Sequence, residues 1–276
     1  MSRVTVLAAT GTLGRALVER LQAEAMSVIA IGRDRERLAA LPPGIETRQA
    51  DFADPAALAA ALADAELVVS CANAQFVPAI LAALPDGGVE RLVLMGSTRR
   101  FSRVPDSTAT AVRAAESALA ACPIPSVLLL ATLIYGGRAG VVELLARQIR
   151  RFPLLPLVGG RALVQPIHID DVAAALVAAV LRPNAPGTPI VIAGPRPMSY
   201  RDMVRAIAVA RHLRLILLPV PGVAVGMAVR LIGRIGPLVA TAGALRRLLE
   251  DRSFDISEMR DRLGVTPREF APIPPV

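Results

Sequence analysis

The chain has 276 residues, 54% of them hydrophobic and 20% charged, enough for one large α/β domain or a domain with a smaller lobe, and it excludes a disordered or low-complexity scaffold. Two cysteines (Cys71, Cys122) and two histidines (His168, His212) speak against a disulfide framework and a metal centre, and 3% aromatic content without tryptophan speaks against a nucleic-acid stacking platform. Thirty-one basic residues against 23 acidic ones give a net charge of +8, which suits anionic ligands or membrane surfaces; all 31 are arginine, so no lysine is available as a Schiff-base former or tunable ammonium.

In chain order, short β-branched runs alternate with Ala/Leu-rich stretches. Strands are predicted at Arg3–Ala8, Ser27–Gly32, Ile45–Ala50, Glu66–Cys71, Arg91–Met95 and Ser126–Leu130. Helices are predicted near Leu13–Ala25, Pro55–Ala63, Phe76–Leu84 and Thr108–Ala121. This alternation indicates βαβ units around a buried, doubly wound parallel sheet of Rossmann type. Asp54 before Pro55 is a helix start, a side-chain cap followed by proline at the first helical position. After about residue 136, helical stretches and Pro/Gly turns dominate. The expected division is a core over 1–135, joined again by 166–194, with 136–165 and 195–276 forming a smaller, mainly helical lobe.

The apolar stretch Leu215 to Val229 is interrupted by Pro219 and Pro221 and is too short to span a bilayer; Ile235 to Leu245 is shorter still. Arg230, Arg234, Arg246 and Arg247 flank them. Two readings stay open, a buried strand with packed core helices, or an interfacial helix pair with an arginine rim on anionic lipid or a partner protein. The N-terminus lacks a basic region followed by a long apolar run, so the expected location is cytoplasmic, with membrane association on that side as the alternative.

The first turn carries the clearest chemistry: Ala8-Ala9-Thr10-Gly11-Thr12-Leu13-Gly14, between a hydrophobic strand and a helix. Gly11 lets backbone approach a pyrophosphate, Gly14 lets the helix pack on the sheet, and the amides of Thr12 and Leu13 point at the anion from the positive helix end. After the second strand, where sites for an unphosphorylated ribose carry a carboxylate, the chain reads Arg33-Asp34-Arg35. A guanidinium at Arg33 pairs with a 2′-phosphate, which favours NADP(H) over NAD(H); Asp34 is a helix cap or swings to the ribose.

These residues resemble the Gly-Ala-Thr-Gly-x-x-Gly turn of the extended and atypical short-chain dehydrogenase/reductases, with Ala8 in place of the first glycine. Asp51-Phe52 is similar to the pair that the family sets beside the adenine, and Ala72 falls where it lines the cofactor with small residues. Ser97-Thr98 is similar to its hydroxyl pair at the end of the fifth strand. Tyr135-Gly136 and the His168-Ile169-Asp170-Asp171-Val172-Ala173 run resemble two later elements. The likeness covers nearly the whole chain, in order. Its flavour is that of epimerase/dehydratase relatives, NmrA-like redox sensors and the NADPH-binding accessory subunit of respiratory complex I.

The resemblance implies a dinucleotide and a small-molecule substrate; the arginines, spread along the chain without a helix-turn-helix or RNP-type pattern, speak against a nucleic-acid partner. It also exposes a departure. Reductases of the superfamily use Tyr-x-x-x-Lys, and alignment on Glu116 puts Thr108 and Val112 at those positions. Ser97, Thr98, His168 and Tyr135 are the remaining catalytic candidates. An NADPH-dependent oxidoreductase or epimerase/dehydratase-like enzyme with a non-standard acid or base is thus one expectation. A non-catalytic NADP(H)-binding sensor or structural subunit is the other.

Overall fold

The structure is a computed structural model that describes residues 3–104, 106–138, 140–157, 160–182, 189–220 and 249–273. In chain order the core elements are β1 (Arg3–Leu7), α1 (Thr12–Ala23), β2 (Ser27–Gly32), α2 (Arg35–Ala39), β3 (Glu46–Gln49), α3 (Pro55–Leu62), β4 (Leu67–Ser70), α4 (Val77–Ala83), β5 (Arg91–Ser97), α5 (Ser107–Ala120) and β6 (Ser126–Ala131). Then follow β7 (Ile134–Tyr135), α6 (Val141–Arg151), β8 (Leu154–Leu157), β9 (Leu163–Val164), β10 (Ile167–His168), α7 (Ile169–Leu181), β11 (Ile190–Ile192), β12 (Met198–Ser199), α8 (Tyr200–Ala210) and β13 (Ile216–Pro219). A further helix spans Ser257–Leu263.

Seven strands form one sheet in the order β11-β6-β5-β4-β1-β2-β3, and every pair in it is parallel. Buried parallel strands read as near-continuous apolar runs, so β1, β2, β4, β5 and β6 were legible within two residues; β3, polar and largely exposed, was placed by its spacing, and β11 was not foreseen. Successive residues face opposite sides. Val4, Val6, Val28 and Ala30 pack with Leu17, Leu21 and Val172 of α1 and α7. Leu7, Ile29 and Ile31 pack with Leu58, Ile80 and Val112 of α3, α4 and α5. The strand order reverses between β1 and β4, and a parallel α/β sheet opens its ligand crevice outside the carboxyl ends at such a point.

The second lobe differs in detail from the sequence reading. α6 and α8 pack through Leu145, Ile149, Met203 and Ile207, but three two-stranded ribbons join them: β7/β10, β9/β12 and β8/β13. Strands this short carry too few residues to show a period. Leu215 to Val229 begins as β13, whose Ile216 and Leu218 are exposed rather than buried; the rest of that stretch, Ile235 to Leu245 and the four flanking arginines lie outside the described residues. The Ser257–Leu263 helix, assigned to the lobe from sequence, puts Met259 and Leu263 into the sheet's own core beside α7. No helix among the described residues is long and apolar enough to cross a membrane.

Candidate functional site

The carboxyl ends of β1, β2, β4 and β5 meet one groove with two adjoining chambers. The first, of about 420 Å³, is lined by Ala8, Thr10, Gly11, Arg33, Arg37, Asp51, Phe52 and Ala72, among others. The second, of about 370 Å³, is lined by Leu13, Met95, Ser97, Thr108, Val112, Ala131 and Thr132, among others. Cys71, Ala72, Asn73 and Gln75, on the segment after β4, border both chambers. The structure therefore joins the β1 turn to the end of β5 along one edge.

The turn itself fits a pyrophosphate. α2, α3 and α5 each start on an aspartate (Asp34, Asp54, Asp106) whose carboxylate accepts a first-turn amide. By contrast α1 starts on Gly11, with no side-chain cap and no acid in its first turn. Its amides, those of Thr12 and Leu13 included, are left to an anion. A Cβ on Gly14 would stand 2.7 Å from the Cα of Ala9 and run into the Ala8 carbonyl, so only glycine lets α1 lie this close to β1. Ala8, which stands where the resembling turn has its first glycine, adopts the left-handed backbone that glycine takes most readily: its φ is +57°. Its carbonyl accepts the Gly11 amide at 3.1 Å, which holds the loop.

At the far end of the first chamber, the Asp34 carboxylate accepts the Arg37 amide at 3.1 Å. It is therefore engaged as a helix cap. Arg33, just after β2, and Arg37, on α2, both line the chamber, and the Arg37 guanidinium also donates to the Thr10 carbonyl at 2.6 Å. Sequence reasoning missed Arg37, because its contact with Thr10 joins two segments that only the fold brings together. Phe52 stacks on Phe76 with ring centroids 4.7 Å apart, giving that end an aromatic floor.

The second chamber gathers Ser97, Thr108 and Val112. Ser97 caps the following 3-10 turn, accepting the Arg99 amide at 3.2 Å. Thr108 accepts from the Arg99 guanidinium at 3.2 Å, and Arg99 pairs with Asp106 at 2.7 Å. Burial pushes the Cys71 thiol up to about 12, so it stays protonated near neutrality. Thr98 is buried, donates to the Ala131 carbonyl at 3.2 Å, and borders a separate cavity with Phe101 and Phe254.

Tyr135 and His168 line neither chamber. Tyr135 is 3% exposed; its hydroxyl donates to the Glu269 carbonyl at 3.1 Å and accepts the Ala271 amide at 3.2 Å. Burial raises its pKa, which further disfavours the phenolate. His168 lies edge-on to Tyr135 with ring centroids 5.0 Å apart, and its Nδ1 accepts the Asp170 amide at 3.2 Å as the cap of α7. The cap of α7 is therefore the histidine itself, and Asp170 lies in the first turn. Burial, and then the charge of Arg268, lower the imidazole pKa against the pull of Asp170 and Asp171.

A sheet-edge groove with an uncapped glycine turn defines a dinucleotide-binding α/β protein. Residues 8–121 match the family model described as NAD(P)H-binding. Across 214 residues the chain is 28% identical to an uncharacterized protein of Mycobacterium tuberculosis, and equally to one of Mycobacterium bovis. That match covers 74% of this chain but 23% of theirs, so the chain spans a small part of those relatives' length. Among solved structures, an NADPH-dependent quinone oxidoreductase of Escherichia coli superposes with TM-score 0.74 at 20% identity, over 98% of this chain and 97% of that one. A UDP-glucose 4-epimerase of Thermotoga maritima superposes with TM-score 0.75 at 14% identity, over 96% and 94%. The fold is the one these solved structures share, and residues 8–121 match an NAD(P)H-binding domain.

Proposed function

We propose that this chain is an NADPH-dependent oxidoreductase that reduces acceptors of quinone type without a proton-donating side chain. The observation that carries this reading is the lining of the second chamber: apolar groups, hydroxyls, the amides of Asn73 and Gln75, and the protonated Cys71 thiol. Thr108 and Val112 stand there in place of the tyrosine and lysine of the reductases this chain resembles. Interconverting a carbonyl and an alcohol near neutrality calls for a general acid or base in reach. A quinone does not, because its reduced oxygen leaves as a weakly basic hydroquinone anion and takes its proton from water.

The bound nicotinamide would supply the hydride, two electrons in one transfer. Around it, the amides of Thr12 and Leu13 hold the pyrophosphate, and Gly14 keeps α1 close enough for them to reach it. Arg33 and Arg37 hold a 2′-phosphate; with Asp34 engaged as a cap, they favour NADP(H) over NAD(H). Asp51, Phe52 and Ala72 border the adenine end. Ser97 and Thr132 orient the acceptor. The likeness to an NADPH-dependent quinone oxidoreductase agrees with this reading, whereas sugar epimerisation would need the missing acid and base.

The same lining favours a second reading, a non-catalytic NADP(H) sensor or structural subunit. One experiment separates them. NADPH oxidation is followed at saturating NADPH with a panel of benzoquinones and naphthoquinones, beside a calorimetric titration of NADPH. Turnover with quinones and none with simple ketones is expected. Tight NADPH binding without any turnover would overturn the enzymatic reading in favour of the sensor.

A further inference from the structure

We propose that the outer face of the β8/β13 ribbon is a docking surface for an anionic lipid bilayer. The two strands pair in parallel, with Leu154 opposite Ile216 and Pro156 opposite Leu218. Alternation sends one set of side chains inward: Leu155 is buried, and Leu213, Leu215 and Leu217 pack against the lobe core. The other set faces out. Phe152 is 60% exposed, Leu154 49%, Ile216 54% and Leu218 42%, and Pro156 is exposed between them. Four large apolar side chains bared on one small ribbon form a patch of the kind that marks an interaction site.

The charge around the patch identifies the partner. Because the strands are parallel, the residues that enter them lie at the same end. These are Arg150 and Arg151 before β8 and Arg214 before β13, all exposed. None of the three pairs with a carboxylate among the described residues. The Arg151 guanidinium lies 5.7 Å from the Phe152 ring centroid, an arrangement that places a cation and an aromatic together at a water–lipid boundary. The bias extends along the chain. Residues 144–169 and 203–249 contain no Asp or Glu, yet they hold four and seven arginines. An apolar patch with a basic end complements a surface that is apolar below and anionic above. A second copy of the chain would bring arginine against arginine, which opposes self-association.

This inference concerns a face separate from the dinucleotide groove, so its test is independent of the function proposed above. The full chain is floated with vesicles of phosphatidylcholine alone and with vesicles that also contain phosphatidylglycerol. Binding is expected to the anionic vesicles only, and to weaken with salt. The double variant Leu154→Glu, Ile216→Glu alters two exposed positions and places charges on the patch; it should bind at least about tenfold more weakly. Its unchanged far-UV circular dichroism and urea midpoint would show that it remains folded. Should that variant not fold, Arg151→Glu with Arg214→Glu, outside the strands, is expected to give the same loss. The proposal is overturned if the full chain ignores anionic vesicles at low salt or if folded variants bind them as well as the parent. It is equally overturned if light scattering finds a dimer that the same substitutions dissociate.

Discussion

A methyl group placed on Gly14 would lie 2.7 Å from the Cα of Ala9, with the carbonyl of Ala8 closer still. Both obstacles are backbone, so neither can rotate away. Gly14→Ala should therefore push α1 off β1, cost about 3 kcal/mol of stability in denaturant unfolding, and weaken NADPH binding in calorimetry. Ala8→Gly should act in the opposite direction. Relief of the left-handed backbone at Ala8 is worth about 1 kcal/mol, partly offset by greater freedom of the unfolded chain. The urea midpoint should stay level or rise.

Arg33 and Arg37 have separable roles. Arg33→Ala should weaken NADPH by about tenfold or more and leave NADH nearly untouched, as expected for a lost charge-assisted contact with a 2′-phosphate. Arg37→Ala should weaken both cofactors, because it also releases the Thr10 carbonyl. Asp34→Ala should cost about 1 kcal/mol of stability as a lost cap, with NADH affinity unchanged. A fall in NADH affinity would instead assign Asp34 to the ribose.

A chamber without a titrating acid should give a flat kcat/KM for quinone reduction between about pH 6 and 8. Ser97→Ala should lower that rate by less than about tenfold, whereas loss of a general acid costs about a hundredfold or more. A bell-shaped profile that Ser97→Ala flattens would identify a proton relay through this hydroxyl.

His168 should make stability depend on pH. Its imidazole is held neutral, with a pKa below the ordinary value, mainly by burial. Unfolded, it takes up a proton near about pH 6.5, so below that pH the unfolded chain binds more protons than the native one. The contribution is complete at higher pH and declines as pH falls. His168→Asn keeps an acceptor for the Asp170 amide and should flatten the dependence of the urea midpoint on pH.

Asp171, 6% exposed, accepts the Arg268 amide and guanidinium, each at 2.9 Å, while Arg268 also reaches Asp170 at 3.0 Å. Arg268→Ala would leave the Asp171 carboxylate short of its main partner. A loss of about 2 kcal/mol is expected in denaturant unfolding, less than for a fully buried pair because Arg268 is half exposed.

By itself the sequence determined the layered βαβ core, because most of its buried parallel strands are unbroken apolar runs and three of its helices, α2, α3 and α5, start on capping aspartates. It also determined the glycine turn, whose geometry is set by residues adjacent in the chain. It did not reveal the Arg37 contact with Thr10, the Arg99 tether on Thr108, or the bond that holds the Tyr135 hydroxyl to Glu269 across 134 residues of chain. Tyr135 and His168 looked reactive in sequence because residue type is local. Whether a polar atom is available for chemistry depends on which partner has reached it first, and here the partners of Tyr135 come from the far end of the chain. The tertiary structure also turned Leu154, Ile216 and Leu218 outward, since a run of leucines and isoleucines shows that something apolar must be covered without saying which face remains bare.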